Sequence, residues 1–187
     1  MADIQHPYCK LALSLDQEHP HKQYHDLEYG FPIHSDDELF GRLLLEINQA
    51  GLSWITILKK QENLKKAYAD FCIEKVAAFN ETDIERLLSD SGIIRNKLKV
   101  NAAIFNANTI IDLQKEYGSF EGFLDLHKSL DLKNWVKLFK KHFKFTGGEI
   151  CNEFLMSSSY LKGAHDENCP IHQRIMNLSP KWLTIDA

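Results

Sequence analysis

Apolar positions recur at helical spacing over most of this 187-residue chain, and no stretch alternates as a half-buried strand would. The clearest stripe is Leu39, Phe40, Leu43, Leu44, Ile47 and Ala50, one face of a helix expected over about Asp36 to Ala50. Ser35 and Glu38 form an S-x-x-E capping box ahead of it. Gly51 stops this helix, and Ser53 offers a cap for the next, which starts at Trp54 and runs through Ile57, Leu58, Leu64, Ala67 and Tyr68 to about Phe71. A short helix is expected around Glu74 to Phe79, and a second capping box, Thr82-Asp83-Ile84-Glu85, opens another with Ile84, Leu87 and Leu88. A turn through Asp90-Ser91-Gly92 leads to a long helix ending near Glu116, with Gly118 as its stop signal. Ser119 caps a helix holding Phe120, Phe123 and Leu124; further helices are expected around Lys133 to His142 and, after Gly147-Gly148, through Ile150, Cys151, Phe154 and Leu155. Residues 1–32, with Pro7, Pro20 and Pro32, lack this periodicity and read as an irregular arm with short helical pieces; residues 163–187 read as a second irregular arm. The pattern predicts an all-α fold, one helical domain over residues 1–187.

Composition narrows this little. With 44% hydrophobic residues the chain can build a core. A net charge of −4 argues against a generic basic nucleic-acid binder while leaving room for a local basic surface. No apolar run is long enough to cross a membrane, and the first thirty residues lack a signal-peptide core, so a cytoplasmic protein is expected. In that compartment four cysteines point to metal or core roles, and Cys72 and Cys151, set in apolar helical patterns, fit the core.

Three places carry candidate chemistry. Glu46 falls at the edge of the first stripe, where a carboxylate must be paired, protonated or waiting for a cation. With the turn at Gly51 and the indole of Trp54 it suits a pocket for a flat, positively charged ligand; pairing with a distant Lys or Arg, with Trp54 in the core, is the plainer alternative. The run from Leu87 to Lys97 reads helix, Gly-containing turn, helix. It is either an ordinary helical hairpin or a helix-hairpin-helix element that holds a phosphate on turn N–H groups, with Arg95, Lys97 and Lys99 adding charge. Lys133, Lys137, Lys140, Lys141 and Lys144 form a second basic face or a solvated one. Finally, Cys9 and His25 in the first arm and His165-x-x-x-Cys169 in the second make a Cys₂His₂ set suited to tetrahedral zinc; His19, His21 and His172 are possible substitutes.

The string Glu46-x-x-Gln49-Ala50-Gly51-Leu52-Ser53-Trp54 resembles the signature of the DNA-3-methyladenine glycosylase I family of base-excision repair enzymes. Ser91-Gly92-Ile93-Ile94-Arg95-Asn96 is similar to that family's hairpin, and Lys141-His142-Phe143-Lys144-Phe145-Thr146-Gly147 to its K-x-x-F-K-F-V-G. Tyr24-His25-Asp26 with Cys9 and His165-x-x-x-Cys169 matches the ligand set of its structural zinc. The similarity extends from about Cys9 to Cys169. Leu11 stands where the family usually has Trp, removing an aromatic wall of the base pocket, and Tyr29 stands for the Trp of H-D-x-E-W-G. The segment from Ser157 to Lys162 also departs from the pattern.

The resemblance implies a helix-hairpin-helix glycosylase fold with the two arms joined by one structural zinc per chain, held by Cys9, His25, His165 and Cys169. It implies hydrolysis of 3-methyladenine from alkylated double-stranded DNA by a monomer. Glu46 then accepts a hydrogen bond from the base and favours its charge, Trp54 stacks on it, and Tyr24 lines the opposite side. Gln49, Gly51 and Leu52 face the DNA at the pocket turn, with Leu52 filling the gap left by the flipped nucleotide unless it is a core leucine. Gly92, Arg95 and Lys97 grip the backbone. The family lacks the catalytic Asp of related glycosylases, and Asp112, inside a helix pattern, is not assigned that role. The alternatives are a non-catalytic zinc-stabilised module that binds DNA or a damaged base, and a glycosylase for another alkylated base.

Overall fold

The structure, a computed structural model, describes residues 4–185. Twelve α-helices and two short 3₁₀ turns make up its regular structure, with no strand among the described residues. The first arm forms α1 (Pro7–Leu13) and α2 (Pro20–Leu27), each with proline at its first turn, where the missing N–H costs nothing. Helix α3 (Asp36–Gln49) follows, then α4 (Trp54–Leu58), α5 (Gln61–Ala67), α6 (Ile73–Ala77), α7 (Glu81–Ser89) and the long α8 (Lys97–Tyr117). The rest is α9 (Phe120–Leu126), α10 (Leu132–His142), α11 (Gly148–Ser157) and α12 (Pro170–Met176).

Helix α3 is the axis of the core. Its Leu39, Phe40, Leu43, Leu44, Leu45 and Ile47 are all buried, and it packs against α4, α8, α9 and α11. Each such side chain contributes roughly 1.5–3 kcal/mol through its removal from water. Phe154 packs against Phe120 and Phe139 beside it, with ring centroids 6.3 and 5.5 Å apart, the first pair stacked and the second tilted. Polar clamps set the angles: Asp36 accepts from the N–H groups of Phe120 and Glu121, tying the start of α9 to the start of α3. Asn106 pairs with both backbone groups of Lys144, fixing the loop before α11 to α8.

Several expectations shift. The run from Trp54 to Phe71 is two helices and a left-handed turn, with positive φ at Ala69, Asp70 and Phe71. The cap of α7 is Asn80, not Thr82: Asn80 accepts from the N–H groups of Thr82 and Asp83, and Asp83 reciprocates. Ser35 does cap α3, accepting from Glu38 N–H. Ser53 precedes α4, but its hydroxyl bonds that of Thr56 instead of the backbone. The second arm is less irregular than expected, because Pro170 starts α12 and buries Ile171 and Ile175. Residues 186–187 of that arm lie outside the described residues.

Candidate functional site

The last turns of α3, the first turn of α4, the arm helices α1 and α2, and the start of α11 surround a cavity of about 670 Å³. Glu46, Tyr24 and Trp54 all line it, with Gln49 and Gly51 at its edge. Glu46 is only 4% exposed, and no hydrogen bond or ion pair holds its carboxylate among the described residues. Arg42, one turn earlier on α3, is the nearest buried cation, but it is committed elsewhere. It donates to the Tyr24 hydroxyl at 3.1 Å and to the carbonyls of Glu28 and Ser157, and it pairs with the Glu28 carboxylate at 3.2 Å. Burial pushes the Glu46 carboxyl up to about 8, the Glu153 carboxylate adds to this, and Arg42 opposes it. The arrangement offers a sheltered acid whose ionised form a cation in the cavity would favour.

Tyr24 and Trp54 meet edge to face, ring centroids 5.0 Å apart at 62°. They form adjoining walls, not the two opposite faces of a slot that the sequence suggested. The chain then turns through Gly51, whose φ of +80° favours glycine although a Cβ would meet nothing within 4 Å. Gln49 spans this turn by donating to Leu52 O at 2.9 Å, and Leu52 is 38% exposed, so it is not a core leucine.

Lys99 holds the same turn from α8. Its ammonium donates to the carbonyls of Asn48 and Ala50, both at 2.8 Å, satisfying the end of α3. Lys99 is therefore buried and does not add charge beside the hairpin. The hairpin itself joins α7 to α8. Gly92 N–H is taken by Asp90 Oδ1, and the Asn96 side chain caps α8 by accepting from Leu98 and Lys99 N–H. The carbonyls of Ser91 and Gly92 accept from the Lys60 ammonium. Arg95 and Lys97 are exposed. The turn is thus tied by side-chain hydrogen bonds, and the exposed positive charge beside it is that of Arg95 and Lys97. Lys133, Lys137, Lys140, Lys141 and Lys144 are exposed as well.

Behind the cavity Cys9, His25, His165 and Cys169, all buried, bring one ligand atom each within 4.8 Å of one another, a group that could hold a metal ion. The Cys169 sulfur lies 3.7 Å from His25 Nε2 and 3.8 Å from His165 Nδ1, and the Cys9 sulfur lies 3.8 Å from the latter. Each imidazole is oriented by its other nitrogen: His25 Nδ1 meets Asp26 at 2.7 Å, and His165 Nε2 meets the Tyr29 carbonyl at 2.7 Å. Gly30, at φ +80°, lets this backbone approach, since a Cβ there would stand 2.7 Å from that of Ala164. His19, His21 and His172 lie outside the group.

Among the other lining residues, Tyr8, Tyr29 and Glu153 were not singled out from the sequence as site residues, and His21 was raised only as a substitute metal ligand. Leu11 is 44% exposed and lines nothing there, while Tyr8, one helical turn earlier on α1, stands in the wall. It contacts His21, His25 and Tyr29 edge to face. Leu11 thus adds nothing to the cavity, and Tyr8 gives α1 an aromatic side chain in its wall. The one sequence signal was position: Tyr8 and Tyr24 each immediately precede a member of the Cys/His group.

The pattern of the methyladenine glycosylase family matches residues 15–135. DNA-3-methyladenine glycosylase 1 of Escherichia coli (strain K12) is 36% identical, the match covering 72% of this chain and 82% of that protein. DNA-3-methyladenine glycosylase of Haemophilus influenzae is 34% identical, covering 79% and 89% respectively. A solved structure of a single-residue variant of 3-methyladenine DNA glycosylase I in complex with 3-methyladenine superimposes with a TM-score of 0.78 at 31% identity, covering 86% of this chain and 95% of that one.

Proposed function

The chain belongs to the methyladenine glycosylase family, and on that footing we propose how its cavity works as the site of a monofunctional repair enzyme. The enzyme hydrolyses the N-glycosidic bond of 3-methyladenine in alkylated DNA, releasing free base and leaving an abasic site. The observation that carries the assignment of the site is Glu46, a buried carboxylate without a partner, set in a cavity walled by Tyr24 and Trp54.

3-Methyladenine in DNA is cationic, so its bond to the sugar is already weak. The nucleotide leaves the duplex and its base enters the cavity. Trp54 stacks on the ring, worth about 1–3 kcal/mol. Tyr24 closes the adjoining side, and Glu46 accepts from the amino edge, matching the positive charge and leaving neutral adenine unrewarded. Water then bonds to the sugar carbon and its proton passes to solvent. The glycosidic electron pair goes to the departing base and neutralises it. No lysine forms a Schiff base, so the strand stays intact.

Gln49, Gly51 and Leu52 face the DNA at the rim, Leu52 filling the space the base vacates. The turn at Gly92, with Arg95 and Lys97, acts as a helix-hairpin-helix grip on the backbone of double-stranded DNA. Cys9, His25, His165 and Cys169 hold one zinc ion. A tetrahedral ion with Zn–S about 2.3 Å and Zn–N about 2.0–2.1 Å sets S and N about 3.6 Å apart, which the observed 3.7–3.8 Å fits. Four protein ligands leave no open position, so the ion is structural and joins the arms at residues 1–32 and 163–187 into one appendage of a single domain. We place the enzyme in the cytoplasm as a monomer, a reducing setting that suits free thiols; no helix of the structure is long and apolar enough to cross a membrane.

The test is base release from methylated duplex DNA, with products identified by mass. The enzyme yields 3-methyladenine and Glu46→Gln yields far less; no release by the wild type would overturn the reading.

A further inference from the structure

Glu153 has no part in the mechanism above. It lies on α11, whose Cys151, Phe154 and Leu155 are buried in the core, yet its own side chain lines the cavity. The Tyr29 hydroxyl donates to its Oε2 at 3.2 Å, and Oε1 has no partner among the described residues. Three carboxylates therefore line a single volume that no Lys or Arg lines: Glu46 from α3 and Glu149 and Glu153 from α11, of which Glu149 is exposed at the first turn of its helix and the other two are sheltered.

The ionisable groups around the pair come from every neighbouring element. They are Tyr8 on α1, His21 and Tyr24 on α2, Tyr29 in the following loop, Arg42 behind Glu46 on α3, and Glu149 on α11 itself. Arg42 is the one permanent cation among them, and its donors are spent on Tyr24, Glu28 and Ser157. Burial raises the Glu153 carboxyl above its usual range, the Tyr29 bond opposes this, and Glu149 adds to it. A structural role alone, tying α11 to the loop after α2, needs one acceptor oxygen, which a neutral glutamine also supplies. What only a carboxylate adds is negative charge aimed at the same space as Glu46.

We propose that Glu153 is a second substrate-contacting group, which sets the cavity's preference for cationic over neutral purines. The amino group of a 3-alkylated adenine carries two N–H donors, one for each carboxylate. The class of ligand is thus a positively charged, N-alkylated purine, and adducts that leave the base neutral are rejected. The inference rests on the base-removal reading for its biological substrate, but its test reads binding alone.

The probes are 3,9-dimethyladeninium, permanently charged, and 9-methyladenine, neutral and of similar shape. Each is titrated against the full chain by tryptophan fluorescence. The wild type favours the cation. Glu153→Gln, which keeps the shape and the Tyr29 contact, lowers the ratio of the two affinities about tenfold, the scale of one partly screened charge pair. The same variant moves the pH at which the cation reaches full affinity downward, because Glu46 gives up its proton more readily beside a neutral neighbour. Thermal melting verifies folding, and Glu153→Ala supplies a second neutral side chain scored by the same ratio. An unchanged ratio, or equal weakening of both probes, overturns the inference. If the wild type releases 3-methyladenine while the ratio ignores Glu153, this inference alone falls. If the ratio responds but no base is released, the catalytic reading falls and the binding role stands.

Discussion

Glu46→Gln separates what the pocket does for ligand from what it does to the fold. The folded carboxyl holds its proton to about pH 8, against an ordinary value of 4.5. Between those values the folded state binds more protons than the unfolded one, so stability falls as pH rises and levels off above about 8. The gap of about 3.5 units corresponds to roughly 5 kcal/mol above pH 8, and about 3 kcal/mol of this is already lost at pH 7. Glutamine cannot ionise, so the variant loses this slope. Urea denaturation at pH 5, 7 and 9 should find the two proteins similar at the lowest pH and the variant more stable by several kcal/mol at the highest. In melting experiments that is about 2–4 °C for each kcal/mol in a chain of this size. Base release should move the other way, falling about a hundredfold as a charge contact worth up to about 4 kcal/mol is removed and part of it returned as relieved desolvation. Parallel stability curves for the two proteins across this range would refute the reasoning, since they would mean that Glu46 has a partner or ready access to water.

Trp54→Ala should weaken binding of a cationic purine by about 10- to 100-fold, the range of one stacking contact, with Trp54→Phe between the two; fluorescence cannot report on these variants, so calorimetry is the measurement. Freshly purified protein should contain one zinc per chain by metal analysis, and Cys9→Ser with His165→Ala should abolish it and lower the melting temperature by roughly ten degrees or more. Arg95→Ala and Lys97→Ala should each lower affinity for undamaged duplex about equally for all sequences and reduce the salt slope of binding by about one; a gel-shift series in salt shows whether they do.

The α3 stripe was legible because helical period is a local rule, whereas ligand chemistry drew out the Cys/His candidates but left His19, His21 and His172 open until the family resemblance chose among them. The registers of caps were less so. Asn80 and Thr82 both fit an opening pattern, and the choice depends on where Ile84 and Leu87 meet the core. The break between α4 and α5 and the left-handed turn at Ala69 to Phe71 have no local signal of comparable strength. Lys99 shows the limit for charge: counted as a cation beside a hairpin, it serves the fold as the cap of a distant helix. The cavity walls were hardest, because Tyr8, Tyr29 and Glu153 come from separate elements and meet only in three dimensions. Glu153 stands between the buried Cys151 and Phe154 with nothing in the local pattern to mark it.

Tyr8 and Tyr24, two walls of the cavity, are each bonded covalently to a member of the Cys/His group, and Tyr29 offers that group its carbonyl. Recognition and anchorage are thus written on the same few peptide units. On the proposed reading, oxidising the thiols would disturb the cavity wall together with the staple, and anyone trimming the first arm to make a smaller enzyme would discard both at once.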